Sequence, residues 1–94
     1  MPDAPEDTYN RLIARRDLVD LDDDQALEHI EELTDLSGDL RRTEGLGQAV
    51  RLSEELQQRD LSADRRATSH YFLGNVWANL LISAQIPKPR SPAA

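Results

Sequence analysis

Four carboxylates in the first third of the chain lie at a spacing that could bind a cation. Asp20, Asp22 and Asp24 alternate along the chain, and Glu31 follows them. Carboxylate oxygens are the ligands that a hard cation such as Ca²⁺ prefers, and alternate residues of a loop can aim them at one point. The sequence therefore contains a candidate calcium site at these four residues.

The spacing of these acids resembles the calcium-binding loop of the EF-hand family. Asp20, Asp22, Asp24 and Glu31 match the loop's first, third, fifth and twelfth positions, and the resemblance implies calcium binding between two helices. Gln25 stands where the loop needs a glycine for its sharp turn. The same acids also suit the positive end of a helix dipole. We favour this second interpretation and expect neither a metal nor a cofactor.

Arg65 and His70 form a second candidate constellation. Their R-x4-H spacing resembles that of the HEPN ribonucleases, an all-helical family, and implies joint action on an RNA phosphate, usually across a dimer. In the alternative interpretation, Arg65 is solvated in the first turn of a helix and His70 packs between helices. Some HEPN proteins carry repeat-like helices ahead of the nuclease domain. Residues 71–75 resemble such a segment, which would make the chain an accessory part of a longer protein.

Other catalytic arrangements are not indicated. The chain has no cysteine, and its two histidines, His29 and His70, belong to different predicted helices, so the common zinc sites are not expected. It also lacks the H-E-x-x-H, G-x-S-x-G and phosphate-loop motifs. We therefore predict a protein that is not an enzyme.

The charge is acidic and unevenly distributed. The formal net charge is -7 over 94 residues, which argues against general nucleic-acid binding because phosphate contact needs a basic surface. Residues 1–40 hold 13 acids and 3 bases, whereas residues 41–94 hold 5 acids and 8 bases. This polarity suits packing of one half on the other, or head-to-tail contact between copies. Without a membrane-spanning stretch or a signal peptide, the expected location is cytoplasmic.

Proline placement and helical periodicity predict an all-α fold of about four antiparallel helices. No proline interrupts residues 6–86, and β-branched residues are sparse. The expected helices cover about residues 6–18, a segment from Asp23 to near Gly38, about 46–58 after a break at Gly45 and Gly47, and about 63–84. Residues 1–86 should form one domain, followed by an extended proline-rich tail at 87–94.

Capping residues support the predicted helix starts. Asp3 with Glu6, and Asp22 with Gln25, have the spacing of capping boxes, and Ser62 can cap the fourth helix. Pro87 should end that helix. The stripes expected to face the core are Tyr9, Leu12 and Ile13, then Leu27, Ile30 and Leu33, then Leu46, Ala49, Val50, Ser53 and Leu56.

The fourth predicted helix is apolar on nearly every side. A helix of this kind is normally buried all round, but a four-helix chain can hardly cover it. We therefore expect another copy or another protein to cover one face. The expected anchors of that contact are Tyr71, Phe72, Trp77 and Leu81, because buried aromatic residues dominate interfaces.

Residues 34–80 resemble a tetratricopeptide repeat followed by the first helix of the next repeat. His70, Leu73-Gly74 and Trp77 have the spacing of the repeat's first helix, and Ala49, Leu52 and Leu56 resemble its second. The resemblance implies stacked helical hairpins, with Gly74 allowing a close helix approach, and it implies binding of proteins or peptides. The alternative is a plain small helical bundle.

The resemblance also indicates two possible groove residues. Asn75 and Asn79 are four positions apart, so they share one stripe of a helix, and asparagines there can clamp a peptide backbone. In the alternative interpretation both are ordinary helix-surface residues. Taken together, we expect a protein-interaction module of helical-repeat type that self-associates and binds another protein or peptide. A ribonuclease and a calcium-binding loop are the alternatives.

Overall fold

The computed structural model describes residues 4–85, except the side chains of 83–85, and contains four helices. They are α1 (Pro5–Ile13), α2 (Asp23–Asp39), α3 (Thr43–Gln57) and α4 (Ala63–Gln85). Residues 4–85 contain no strand. The predicted all-α fold with four helices is confirmed. The predicted tail at 87–94 and the stop at Pro87 lie outside the described residues.

α1 is shorter than predicted. It begins at Pro5 after an Ala4 N-cap that makes no side-chain hydrogen bond, and the proposed cap Asp3 lies outside the described residues. It ends at Ile13, so the prediction of helix over residues 14–18 was wrong. Leu18 explains the difference. Residues 14–18 form a loop that packs on the core, because the Leu18 side chain is fully buried there.

Three side chains, two of them on α3 and the third that of Arg59 just after it, hold the loop between α1 and α2 in place. The Leu18 amide donates to Glu55 Oε2 at 2.7 Å, and Arg59 donates to the Leu18 carbonyl oxygen at 2.6 Å. The Gln48 side-chain amide also donates to a backbone group of this loop, the Arg15 carbonyl oxygen, at 2.6 Å. These bonds pair backbone groups that would otherwise be left without partners next to the core.

α2 begins at the predicted capping box. The Gln25 amide donates to Asp22 Oδ1 at 2.8 Å, and the Asp22 amide donates to Gln25 Oε1 at 3.1 Å. α2 then continues through Gly38 to Asp39. The chain reverses at Leu40–Arg42, where Arg41 has a φ of 56°.

The predicted helix break at Gly45 and Gly47 was wrong, because both glycines lie inside α3. A Cβ atom at Gly45 would lie 2.7 Å from Tyr9 Cε1 and even closer to Ser37 Oγ. Gly45 therefore allows close packing of three helices and does not mark a turn. The observed break falls three residues earlier than Gly45, at Arg42, the N-cap of α3.

α3 is the central helix of the core. Like α2, it contacts all three other helices, whereas within residues 4–85 α1 and α4 do not contact each other. The predicted stripes are buried, with Ile13 and Val50 only partly so. The buried apolar residues are Tyr9, Leu12, Leu18, Ala26, Leu27, Ile30, Leu33, Leu46, Ala49, Leu52, Leu56, Leu61 and Val76.

Candidate functional site

α4 turns only one side towards the core. Val76 is fully buried, and Phe72 and Leu80 pack partly buried against the core. The helix starts as predicted, since the Arg65 amide donates to Ser62 Oγ at 3.2 Å. α2 and α3 cover this inner side, and no element among residues 4–85 covers the opposite side.

The opposite side of α4 exposes a line of apolar residues, which we call the outer face. Ala67, Tyr71, Gly74, Ala78 and Leu81 recur at alternating steps of four and three residues, so they form one line along the helix. Trp77 and Ile82 flank this line. The exposed fractions are 67% for Tyr71, 55% for Trp77, 59% for Leu81 and 56% for Ile82.

The outer face is large and uncharged. Residues 67–82 contain no Asp, Glu, Lys or Arg, in a chain of which 31% is charged. From their exposed fractions, the four large side chains present roughly 500 Å² of surface, and apolar patches of that size on a monomer are often functional. Isolated exposed apolar residues are ordinary, whereas a line of them on one helix makes the outer face the candidate site.

The predicted anchors separate into two groups. Tyr71, Trp77 and Leu81 point outwards, whereas Phe72 belongs to the core side, with its ring centroid 6.0 Å from that of Tyr71. Ile82 also belongs to the outer face and was not among the predicted anchors. The sequence could have identified Ile82, because a residue four positions after Ala78 lies on the same side of a helix.

Gly74 does not provide the close approach predicted for it within the chain. Apart from the backbone of its own helix and its two chain neighbours, no atom of residues 4–85 lies within 4 Å of the position that a Cβ atom would take there, and the residue is exposed. That part of the prediction was wrong for the single chain. α2 and α4 instead approach at Gly38, where a Cβ atom would lie 2.8 Å from Asn79 Oδ1.

The two candidate groove asparagines have different surroundings. Asn79 is half-buried against Gly38, and its amide donates to the Asn75 carbonyl oxygen of its own helix at 2.9 Å. Asn75 is exposed. Asn75 is thus accessible to a ligand, while Asn79 supports the contact between α2 and α4.

Arg65 and His70 lie on different sides of α4. Arg65 forms two hydrogen bonds to Asp24, at 2.9 and 3.1 Å, and these bonds hold the pKa of the Asp24 carboxyl below its usual range. His70 is exposed, so it does not pack between helices as the alternative interpretation expected, and Arg65 is paired and not simply solvated. Five residues along a helix correspond to a rotation of roughly 140°, which separates the two side chains within one chain.

The four candidate calcium ligands do not converge. Asp20 pairs with Arg15 at 2.5 Å, which lowers the pKa of Asp20, while Asp22 caps α2 and Asp24 pairs with Arg65. Glu31 is exposed on α2. Over residues 4–85 no group of three or more His, Cys, Asp or Glu side chains could hold a metal ion. α2 begins at Asp23, inside the supposed loop, so the structure places these acids at a helix start and not in an EF-hand loop.

His29 lies at a surface groove formed by α1, the following loop and α2. The groove has a volume of about 480 Å³ and is lined by Arg11, Leu12, Ala14, Arg15, Arg16, Asp17 and His29. The Nε2 atom of His29 is enclosed without a hydrogen-bond partner in the described part of the chain. Burial lowers the pKa of His29, and nearby Arg15 lowers it further.

A comparison with known proteins finds no matching family model, curated protein or solved structure. The fold and the site together define a small all-α bundle with an apolar outer helix face. Within the described part of the chain, none of the helices combines the length and the apolar character needed to cross a membrane.

Proposed function

We propose that this chain is a protein-interaction module that binds another polypeptide on the outer face of α4. The observation that carries the proposal is the uncharged line from Ala67 to Leu81, flanked by Trp77 and Ile82. Burial of this surface by a partner would remove apolar groups from water, which is the main driving force of most protein association. Trp77 and Tyr71 are residue types that typically dominate the binding energy of interfaces.

The helical-repeat character of the module is part of the same proposal. In the resemblance to tetratricopeptide repeats, His70, Leu73-Gly74 and Trp77 belong to the first helix of a repeat. Each hairpin of such a protein stacks on a neighbour. The exposed surface at Gly74 and Trp77 is consistent with a further helix packing there. The cytoplasmic location is likewise proposed, and the cysteine-free sequence is consistent with it.

A photo-reactive side chain placed on α4 tests the proposal in cells that produce the full-length protein. The reactive residue replaces Leu81 on the outer face, and a matched variant carries it at Glu54, which is exposed on α3. We expect covalent protein adducts from position 81 and none from position 54. Absence of adducts at 81, or equal yields at both positions, would overturn the proposed function.

A further inference from the structure

We propose that the occupant of the outer face is the same face of a second copy, with the two α4 helices antiparallel. This inference rests on the interaction function proposed above and names its partner. The two-fold axis would pass close to the level of Val76, midway between Gly74 and Ala78 along the helix. A two-fold contact of this kind uses the same patch on both chains.

The shape of the outer face is self-complementary in this arrangement. Antiparallel pairing about residue 76 sets Gly74 against Ala78 of the second copy, and Tyr71 against Leu81 of the second copy. Small residues at the centre let the two helix backbones approach closely, while large residues pack at both ends. Gly74 is open to such an approach, because nothing in the described chain lies within 4 Å of its missing side chain.

The area of the outer face suits a dimer of modest affinity. Two copies of a surface of roughly 500 Å² would bury about 1,000 Å² in total, which is near the lower limit for a specific interface. We therefore expect a dissociation constant in the micromolar range.

Charge favours a second copy over a strongly charged partner. Each chain carries a net charge of -7, so most orientations of two copies bring like charges together. Residues 67–82 are free of Asp, Glu, Lys and Arg, and contact through them avoids this repulsion. Neither an acidic nor a basic partner would find a complementary charge on this face.

The charged start of α4 favours the antiparallel direction. Asp64 is exposed in the first turn of the helix. Parallel helices would place the two Asp64 carboxylates and the two positive dipole ends side by side. Antiparallel helices that cross at residue 76 separate the two Asp64 residues by about 36 Å along the axis.

Light scattering of the full chain over a wide concentration range, with two glycine variants, tests the inference. Both Gly74 and Gly47 are open to a side chain and lie within helices, so Gly74→Gln and Gly47→Gln should both fold. We expect a concentration-dependent dimer that Gly74→Gln weakens at least about tenfold, because Gly74 lies at the close approach, and that Gly47→Gln leaves unchanged.

The possible outcomes separate this inference from the proposed function. A monomer at all concentrations would overturn self-pairing, while adducts with a different protein from position 81 would leave the interaction function intact. A dimer that tolerates both Gly74→Gln and Leu81→Gln would place the contact elsewhere on the molecule and also overturn the inference. Leu81 is exposed, so Leu81→Gln keeps the test decisive if Gly74→Gln fails to fold.

The direction of the helices has its own measurement. Because the chain has no cysteine, Ala67→Cys introduces a single attachment point for a spin label on the outer face. Antiparallel pairing predicts a separation of about 28 Å between the two labelled backbone positions, from the helical rise and the usual interhelical distance. A separation of about 10 Å would indicate parallel helices and contradict the proposed geometry.

Discussion

At the scale of single residues, specific partners decide what each polar side chain does. Asp24 is held by Arg65 and Asp20 by Arg15, so these carboxylates stabilise the start of α2 and the loop before it. Glu55 binds the Leu18 amide of the same loop. The acidic sequence at the start of α2 is therefore explained by intramolecular contacts and a helix N-terminus.

His29 provides a prediction about pH. Its pKa in the folded chain is lowered from the ordinary value of 6.5, mainly by burial, so protonation is easier in the unfolded chain. The unfolded chain therefore binds the extra proton first as the pH falls below 6.5, and the free energy of unfolding decreases there. We expect urea unfolding between about pH 5.5 and 8 to show this decrease.

Two histidine variants make the pH prediction specific. His29→Gln should flatten the dependence, whereas His70→Gln should preserve it, because His70 is exposed on α4. Arg15 and Glu32 act on His29 in opposite directions and remain unchanged in both variants. An unaltered pH dependence in His29→Gln would show that other groups cause it.

At the scale of helices, the two glycines of α3 have different roles. Gly45 is buried at the place where α3 meets Tyr9 of α1 and Ser37 of α2. Gly47 lies one residue after Leu46, and a Cβ atom there would meet no neighbouring group of the described residues within 4 Å. Helix propensity is the same for glycine at both positions, so the different roles of Gly45 and Gly47 arise only from packing.

Alanine substitutions at these glycines should have opposite effects. Gly47→Ala should raise the free energy of unfolding by about 0.5–1 kcal/mol, because alanine loses less conformational freedom in a helix than glycine. Gly45→Ala should lower it by about 1–3 kcal/mol through crowding against Tyr9 and Ser37. Chemical denaturation of both variants at one low concentration provides the measurement. A stabilised Gly45→Ala variant would contradict the close packing described for α1, α2 and α3.

At the scale of the whole molecule, the acidic first part of the chain packs on the more basic second part. Arg42 pairs with Glu6 at 3.4 Å, Arg59 pairs with Asp23 at 3.1 Å, and Arg65 pairs with Asp24. The expected packing of one half on the other is confirmed by these contacts. The pairs are partly or largely exposed, so solvent screens them and their contribution to stability is small.

The same charge distribution predicts how salt affects self-association. Two chains of net charge -7 repel each other, and the proposed contact itself is uncharged. Raising the ionic strength from about 10 mM to about 150 mM screens this repulsion and should strengthen the dimer. Sedimentation equilibrium at both ionic strengths measures the dissociation constant of the dimer. Circular dichroism confirms that the helix content is unchanged. Weaker association at higher salt would instead indicate a contact built from opposite charges.

The sequence by itself determined the features that depend on neighbours within about one helical turn. These include the four helices, the caps at Asp22 and Ser62, and the apolar stripes of α2 and α3. Periodicity and capping act locally, so they can be recognised in a linear chain. The apolar character of α4, on which the proposed contact surface rests, was also visible in this way.

Only the tertiary structure decided where α1 ends and which side of α4 faces outwards. α1 stops at Ile13 because Leu18 enters the core, where Glu55 of α3 and Arg59, just after α3, bind its backbone from far along the chain. Phe72 turns inwards while Tyr71 turns outwards, because α2 and α3 cover only one side of α4. Such choices depend on contacts between residues distant in the sequence, and helical periodicity contains no information about which face another helix will cover.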